Sequence, residues 1–551
     1  MSQKLSLIHG LPLENEPGQG AHTIPGFLGE VCARYGSRDA VIMRTAPGRV
    51  AWTYDELHAN SADVAKALIA AGVGKNSRVG VLMANRPEYL SALFGIAMAG
   101  GVTVALSTFS TPGELDHLIS ASAISILLFD ARVLKQDFAD MLGDAECFPF
   151  LTKLVQLDSV TDEKSVSPWF DSWAAFLETG KSVPDSIVKD RVAAVTPQDI
   201  GGIFFSSGTT SVPKGIIHSH RAFAIQWWRW PRVFSMCEPV RSWTGNGFFW
   251  SGNVSLTVGT ALATGGAVVL QPVFDAEAAL RIIEEEKVTF LSGRAHQWAR
   301  VQAAPSWSTA DLSSLKYVTK GDLITEHPSI QTNWMTPNAF GTTETMTICT
   351  AFDANTSEVT YAGSVGAPLP GNSLKIVDPD TGQIVPIGTR GEMCIKGPTL
   401  MRGYLGKAQE DCFDANGFYC TGDGGYVDAE GRFFWEGRLN DIIKTGGANV
   451  SPEEVDDVIA TFPGIKRTQT VGVPDALLGE MVVACIVPVA QDIDDRVLRS
   501  FLKERLASFK IPREILVLSE EDFALTGNEK AKAADIKAFA IERLSQIAPA
   551  S

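Results

Sequence analysis

Residues 204–215 read FFSSGTTSVPKG, an apolar lead-in followed by small hydroxyl residues, glycine and one lysine. Gly201 to Phe205 reads as a short buried strand ending in a turn. Ser206, Ser207, Gly208, Thr209, Thr210 and Ser211 then offer backbone N–H groups and five hydroxyls to an anion. Gly208 lets the backbone approach closely, and Lys214 adds a compact positive charge. A Ser/Gly-rich surface turn has the same composition, so the meaning of the loop depends on what surrounds it. It is not a Walker A loop, because no G-x-x-x-x-G-K-[ST] occurs in the chain.

Upstream, from Thr53 to Phe129, helical and strand patterns alternate. Thr53 is placed to cap a helix that continues through Leu57, Ala62, Ala65 and Leu68 and ends at Gly72 to Gly74. Val79 to Met83 reads as a buried strand, Pro87 to Met98 as a helix, and Val102 to Leu106 and Ile124 to Phe129 as further strands. Such alternation predicts an α/β fold, a parallel sheet with helices on both faces. Residues 131–195 carry no periodic signal and read as irregular. Downstream, Phe223, Trp227 and Trp230 stand at i, i+4, i+7, a stripe that buries a helix face. A second αβ unit follows: a strand at Ala267 to Leu270, a helix at Ala276 to Glu286, a strand at Val288 to Ser292.

From Ser364 the texture changes to short strands with Gly/Pro/Asp turns at Leu374 to Val377, Gly391 to Lys396, Gly425 to Val427 and Phe433 to Glu436. This predicts an antiparallel, barrel-like subdomain over about 364–436. A boundary falls near Arg438 to Asp441, and Ser451-Pro452 starts a helix beyond it. The expected organisation is a large N-terminal domain, 1–439, of two αβ-layered sheet subdomains plus the barrel-like one. A small mobile α+β domain of about three strands and as many helices fills 441–551.

The bulk numbers exclude several classes. A length of 551 residues, at roughly 150 per domain, allows three or four folding units. Hydrophobic residues make up 45% and charged residues 20%, with mean hydropathy +0.07, which excludes a disordered chain. A net charge of −16 argues against a nucleic-acid surface while leaving room for a small anion held by local cations. The longest apolar runs, Leu93 to Leu106 and Leu256 to Leu270, fall short of the ~20 residues of a membrane span and read as buried helix-turn-strand segments. The opening MSQKLSLIHGLPLENEPGQG does not fit a secretory leader. Cysteines 32, 147, 237, 349, 394, 412, 420 and 485 include no CxxC pair, so neither a disulfide framework nor a zinc site is expected, and a reducing cytoplasm fits.

Four further segments go with the loop. Phe340-Gly341-Thr342-Thr343-Glu344 joins an aromatic platform to two hydroxyls and a carboxylate, which suits a base beside phosphate-bridging Mg²⁺. Tyr419-Cys420-Thr421-Gly422-Asp423 sets a carboxylate after a glycine turn, where it could accept from two ribose hydroxyls. GRLNDIIKTGG, residues 437–447, sits at the domain boundary, and TGNEK, residues 526–530, near the end. Taken singly, each reads equally as a solvated turn.

Together and in this order, from Thr53 to about Lys537, they resemble the adenylate-forming superfamily of acyl-CoA synthetases, adenylation domains and luciferases. The resemblance implies that Thr209, Thr210 and Lys214 hold the pyrophosphate end of ATP, with Ser207 and Gly208 shaping the turn. It places Thr343 on the α-phosphate, Glu344 on Mg²⁺, Gly321 and Asp322 beside adenine with Phe340 stacked on it, and Asp423 and Arg438 on the ribose. Gly341 and Thr342 belong to the same nucleotide motif, while Lys444, Gly446 and Gly447 belong to the loop that follows the hinge at Asn440. Lys530 matches the C-terminal catalytic lysine, with Lys532 the competing register. Trp250, Asn253, Val254 and Met346 border the implied acyl pocket, although Val254, like Phe248, reads equally as core.

The sequence departs from the family pattern at several points. Ser211 replaces a loop glycine, Lys320 replaces a small residue, and Glu529 stands where glycine is common before the lysine. Trp250 occupies a position where many members carry His. His218 and His220 could suggest a metal pair, but i and i+2 share no helix face and a structural role is expected.

The implied activity is an acid:CoA ligase: carboxylate plus ATP gives acyl-AMP and pyrophosphate, then CoA gives the thioester and AMP. ATP, Mg²⁺ and coenzyme A are the expected cofactors and a small carboxylic acid of apolar to aromatic or medium acyl type the partner. No nucleic acid and no integral membrane association are expected, and a homo-oligomer is left open. The alternatives are the same adenylation with a carrier protein or amine as acceptor, and a non-catalytic nucleotide-binding homologue. That no carrier domain follows residue 551 leans toward CoA.

Overall fold

The computed structural model describes residues 4–45, 48–142, 148–157, 170–206, 213–439, 443–489, 493–519, 522–523 and 533–547 of the chain. Its largest sheet grows from the alternation upstream of the hydroxyl-rich loop. Helix Tyr54–Ala70 begins where the Thr53 hydroxyl accepts from Glu56 N–H and the Glu56 carboxylate accepts from Thr53 N–H, so two otherwise orphaned donors are satisfied at once. Helix Pro87–Met98 opens on its proline and keeps every residue but Glu88 buried.

Eight strands lie side by side in the order Asp171–Ser172, Lys153–Leu157, Ile126–Asp130, Arg78–Leu82, Val102–Ala105, Ile200–Ser206, Lys214–Ser219, Gly403–Tyr404. The first six are parallel, and the last two turn antiparallel. The hydroxyl-rich loop is therefore a hairpin connection, with Ser206 paired opposite Lys214.

A second sheet has the order Phe290–Ser292, Arg241–Thr244, Ala267–Leu270, Asp39–Thr45, Gly48–Thr53, parallel except at its last strand. One continuous core joins residues of both sheets with those of helices Ile24–Tyr35, Tyr54–Ala70, Pro87–Met98 and His220–Val233. Phe223, Trp227 and Trp230 are fully buried, with Phe27 4.8 Å from Trp227 between ring centroids. At about 200 Å² each and about 25 cal/mol per Å², such rings contribute about 5 kcal/mol apiece as an upper bound, which explains why this stripe is core.

A third sheet is antiparallel: Leu7–His9, Ser373–Val377, Gly391–Lys396, Tyr419–Val427, Phe433–Arg438. Its strands agree with the expected barrel-like segment, and the N-terminal Leu7–His9 adds an unforeseen edge. From residue 443 a separate sheet runs Ala448–Val450, Ile443–Thr445, Gly479–Pro488, Ile465–Asp475, with Glu514–Val517 parallel to Gly479–Pro488. Helices Pro452–Ala460, Asp495–Lys503 and Ala533–Ile547 accompany it. Ser451 caps the first, its hydroxyl accepting from Glu454 N–H.

Three expectations need correction. The unit from residue 443 carries five described strands rather than about three, because the short pair Ile443–Thr445 and Ala448–Val450 joins its sheet. The described part of residues 131–195 is not irregular: it supplies strand Lys153–Leu157 to the main sheet and helices Trp173–Thr179 and Asp185–Ala194. Each of those helices buries one apolar side chain, Phe176 or Val188, too few to show a period. The cysteines are not all free either: Cys394 and Cys420 face each other on neighbouring strands and are bonded as a disulfide. Strand register brings them together across 26 positions, a pairing that no local spacing could signal.

One buried ion pair fastens the N-terminal segment to this framework. Arg229 and Glu16 are both fully buried, joined by Nε–H to Oε1 at 2.8 Å and Nη2–H to Oε2 at 2.7 Å. Nη2 also reaches the Pro370 carbonyl at 2.8 Å. Removing one partner strands a charge away from water, so Glu16→Ala should lower unfolding stability by about 3 kcal/mol, read from the urea midpoint. An unchanged midpoint would contradict this account of the pair.

Candidate active site

The site is built on a tight turn. Strands Ala339–Thr342 and Thr347–Ala351 are joined by the 3₁₀ turn Thr343–Thr345, and the chain leaves it through Met346 at φ 49° and Thr347 at φ 83°. Left-handed backbone costs a side-chain-bearing residue about 1–2 kcal/mol, so the surroundings must impose it. The Gln226 amide does so by donating to the Met346 and Ile348 carbonyls at 2.8 and 2.9 Å. Gly341 is required because a Cβ there would lie 1.9 Å from the Thr347 carbonyl oxygen.

Below the turn, His218 Nε2–H donates to the Thr343 carbonyl at 2.8 Å, while Nδ1 finds no partner among the described residues. Burial pushes this imidazole down to about 4, and that of His220 likewise. Both rings are neutral, and their role is structural.

The turn presents Glu344 to a cleft. Its Oε1 accepts from the Tyr404 hydroxyl at 2.9 Å, and the Tyr404 oxygen meets Tyr419 Oη at 2.9 Å. Burial, then the Glu344 charge, holds the Tyr404 phenol far above its ordinary value, so it remains a donor. Asp423, also buried, accepts from Trp435 Nε1–H at 2.8 Å and pairs in register with Arg438. Glu392 accepts from Gly422 N–H at 2.8 Å and fixes the preceding turn. The Lys444 ammonium lies 3.9 Å from the Trp435 ring centroid.

These groups line one cavity of about 760 Å³. Of the residues expected at the nucleotide, Lys214, Phe340, Gly341, Thr342, Thr343, Glu344, Asp423, Lys444, Gly446 and Gly447 all reach it. Phe340 is 8% exposed and rests edge-on against Phe433 at 5.6 Å, so one side of its ring belongs to the core.

A second cavity, of about 860 Å³, is walled by Phe249, Trp250, Asn253, Val273 and Phe274 on one side and by Phe509 and Arg513 on the other. The two cavities share Ser206, Arg294, Gly341 to Thr343, Gly446 to Asn449 and Leu478. Trp250 and Asn253 thus lie on the expected pocket, whereas Val254 and Met346 are fully buried in the core with Phe248. Gly321 and Asp322 sit on an exposed turn and line neither cavity. Ser207, Gly208, Thr209, Thr210, Ser211, Asn440, Glu529, Lys530 and Lys532 lie outside the described residues, as does the Arg438 side chain. Sequence reasoning missed Tyr404, Glu392, Trp435 and Arg294. Tyr404 and Arg294 stand in stretches with no recognisable spacing; strand pairing brings the first here, and the strand-to-helix turn before Ala295 the second.

A cleft lined by Lys214, Lys444, Glu344 and Asp423 that opens into an aromatic-walled chamber suits an adenylate-forming acid–thiol ligase. The chain belongs to the AMP-binding enzyme family: that family's profile matches residues 28–405, and the profile of the AMP-binding enzyme C-terminal domain matches residues 454–530. It is 31% identical to the indoleacetate–CoA ligase of Aromatoleum aromaticum over 86% of this chain and 92% of that one. It is 28% identical to the acyl-CoA ligase SID4 of Ajellomyces capsulatus over 96% and 92%. Its fold matches that of the amide bond synthetase McbA from Marinactinospora thermotolerans with TM-score 0.74 at 24% identity, covering 93% and 99% of the two chains.

The buried histidines beneath the turn make the fold acid-sensitive. Above pH about 6.5 neither folded nor unfolded chain protonates them and the term vanishes. Between there and about 4 the unfolded chain takes up protons that the folded chain excludes, so stability falls as pH is lowered. The slope is about 1.4 kcal/mol per pH unit for each histidine. Denaturation midpoints compared at about pH 7 and about pH 5 should show the loss, and His218→Asn should make it smaller.

Proposed function

We propose that the chain joins an apolar to aromatic carboxylic acid to coenzyme A through an acyl-AMP intermediate. The observation that carries this is the joining of two cavities at Thr343: a polar one with nucleotide-binding side chains and an aromatic-walled one lined by Phe249, Trp250 and Phe274. A carboxylate lying in the second, with its oxygens at the junction, faces the α-phosphate of ATP lying in the first. Both reactants are anions, so catalysis depends on positive charge and hydrogen-bond donors fixed where negative charge gathers. Lys214 stands at the mouth of the phosphate-binding hairpin, and Thr209, Thr210 and Thr343 supply hydroxyl and backbone donors. Asp423 and Arg438 hold the ribose and Phe340 borders the base. Lys530 bridges carboxylate and α-phosphate in the first half-reaction.

Glu344 suits a hard divalent cation. Tyr404 takes one of its carboxylate oxygens, and among the described residues nothing takes the other, in a cleft where phosphate oxygens and water complete such a shell. Mg²⁺ bound there would offset the charge of the β- and γ-phosphates.

The 441–551 unit turns about Asn440 between the two half-reactions. In the arrangement described, Gly446 and Gly447 form part of the wall between the cavities and Phe509 meets Trp250 at 5.9 Å between centroids. That arrangement suits admission of the thiol. No helix among the described residues is long and apolar enough to cross a membrane.

An acid panel with ATP and Mg²⁺ should give acid-dependent pyrophosphate, and adding CoA should release AMP and a thioester. Pyrophosphate without CoA-dependent AMP would point instead to an amine or carrier acceptor, and no pyrophosphate with any acid would reject the reading. Asp423→Ala removes charge-assisted bonds to the ribose and should weaken ATP binding about tenfold to hundredfold by calorimetry.

A further inference from the structure

Arg294 is the one charged residue, among those described, that lines both cavities. It follows strand Phe290–Ser292 and stands at the cap position of helix Ala295–Gln302, where its own N–H donates to Gln297 Oε1 at 3.0 Å. A cation at a helix N-terminus opposes the helix dipole, so this placement has no local benefit. Arg294 keeps an exposed surface toward the cavity water, while the protein packed around its guanidinium pulls its ionisation below the ordinary arginine value. Among the described residues no carboxylate lies within ion-pair distance of it. The other cations of the first cavity, Lys214 and Lys444, do not reach the second, and those of the second, Arg300 and Arg513, do not reach the first. Gly447 packs directly on Arg294: a Cβ at that glycine would lie 2.2 Å from Nε. The arginine is thus contacted on one side by the Gly446-Gly447 loop, which lines the junction of the cavities.

We propose that Arg294 is a catalytic residue of the thioester-forming half-reaction, binding the phosphate of the acyl-AMP and of the AMP that leaves. This rests on the acyl-adenylate reading above. In that step the CoA sulfur attacks the acyl carbon, the bond from that carbon to the AMP phosphate oxygen breaks, and its electron pair stays on that oxygen. The thiol proton passes to water. The phosphate goes from one negative charge toward two, at the place where the cavities meet. Arg294 is the fixed positive group at that place, and its planar donors suit two phosphate oxygens. Because no described carboxylate pairs with it, the guanidinium can turn its donors to a phosphate without giving up an ion pair.

The test uses the full-length protein and three readouts: binding of AMP and of adenosine by calorimetry, acid-dependent ATP–pyrophosphate exchange, and single-turnover transfer from preformed acyl-AMP to CoA. Arg294→Gln should weaken AMP about tenfold or more while leaving adenosine unchanged, and should slow transfer about a hundredfold with exchange altered less than about threefold. Arg294→Lys keeps the charge and should recover part of the preference for AMP over adenosine. Equal weakening of AMP and adenosine, no weakening of either, or a lysine variant as poor as the glutamine one would overturn the proposal. If the wild-type chain gives no exchange with any acid, the functional reading fails, while the comparison of AMP with adenosine still decides whether Arg294 contacts the phosphate.

Discussion

The Tyr404 hydroxyl joins three pieces of chain that belong to different sheets. Tyr404 sits on the last strand of the eight-stranded sheet, Glu344 on the turn of the small hairpin, and Tyr419 on the antiparallel sheet. A phenol has one proton. That proton goes to the Glu344 carboxylate, so Tyr419 must donate to the remaining lone pair. Because burial and the carboxylate both oppose ionisation of Tyr404, the polarity of this chain is fixed. The three sheets can be assembled in any way the core permits only so long as these oxygens meet. The position of Glu344 is therefore set by tertiary structure as much as by its own turn, whose two left-handed residues would not hold it unaided.

A chain of net charge −16 that binds a polyanion must work through local fields. At physiological salt the Debye length is about 8 Å, so the surface carboxylates are largely invisible inside the cleft. The cleft is lined by Lys214, Lys444 and Arg294 and by Glu344, Glu392 and Asp423. Glu392 is occupied by Gly422 N–H and Asp423 by the Trp435 indole, so both carboxylates are oriented by donors before any ligand arrives. Orientation in advance is what lets a carboxylate receive ribose hydroxyls or a metal without reorganising.

Much of this was legible in the sequence, and what was not shares a cause. The capped helix at Thr53, the helix Pro87–Met98, the buried tryptophan stripe and the short strands after residue 364 each carry their own local signal, through capping, period or turn chemistry. The segments around Gly341 and Gly422 were legible only as an ordered set resembling a known family, and the structure shows why each needs its glycine: a Cβ at Gly341 would strike the Thr347 carbonyl, and Gly422 is left-handed. Strand Lys153–Leu157 and the edge strand Leu7–His9 were not, since their partners are distant and their own patterns are brief. The same holds for Tyr404 and the pairing of Cys394 with Cys420, whose proximity comes from register, and for Arg294, which the turn from strand Phe290–Ser292 into helix Ala295–Gln302 delivers to the cleft. Local chemistry writes itself into sequence, whereas convergence does not.

The contacts between the two units show how a site can be closed without being locked. Lys510, nearly buried, stands between Glu454 of its own unit at 2.7 Å and Glu114 of the other at 3.2 Å. Burial pushes the Glu454 carboxyl up and Lys510 pulls it back, so the pair within the unit is the tighter one and persists on separation. Glu114 already caps its own helix through Thr111 and loses little when the lysine leaves. Breaking the bridge therefore returns two charges to water with their other partners intact, and such pairs add little net stability because desolvation offsets attraction. The aromatic contact of Trp250 with Phe509 has a modest worth of the same order. An interface of this composition can open at little cost, whereas a large apolar seam would hold the two units in place. Its specificity comes from Gly447, whose missing side chain is the space that Arg294 fills.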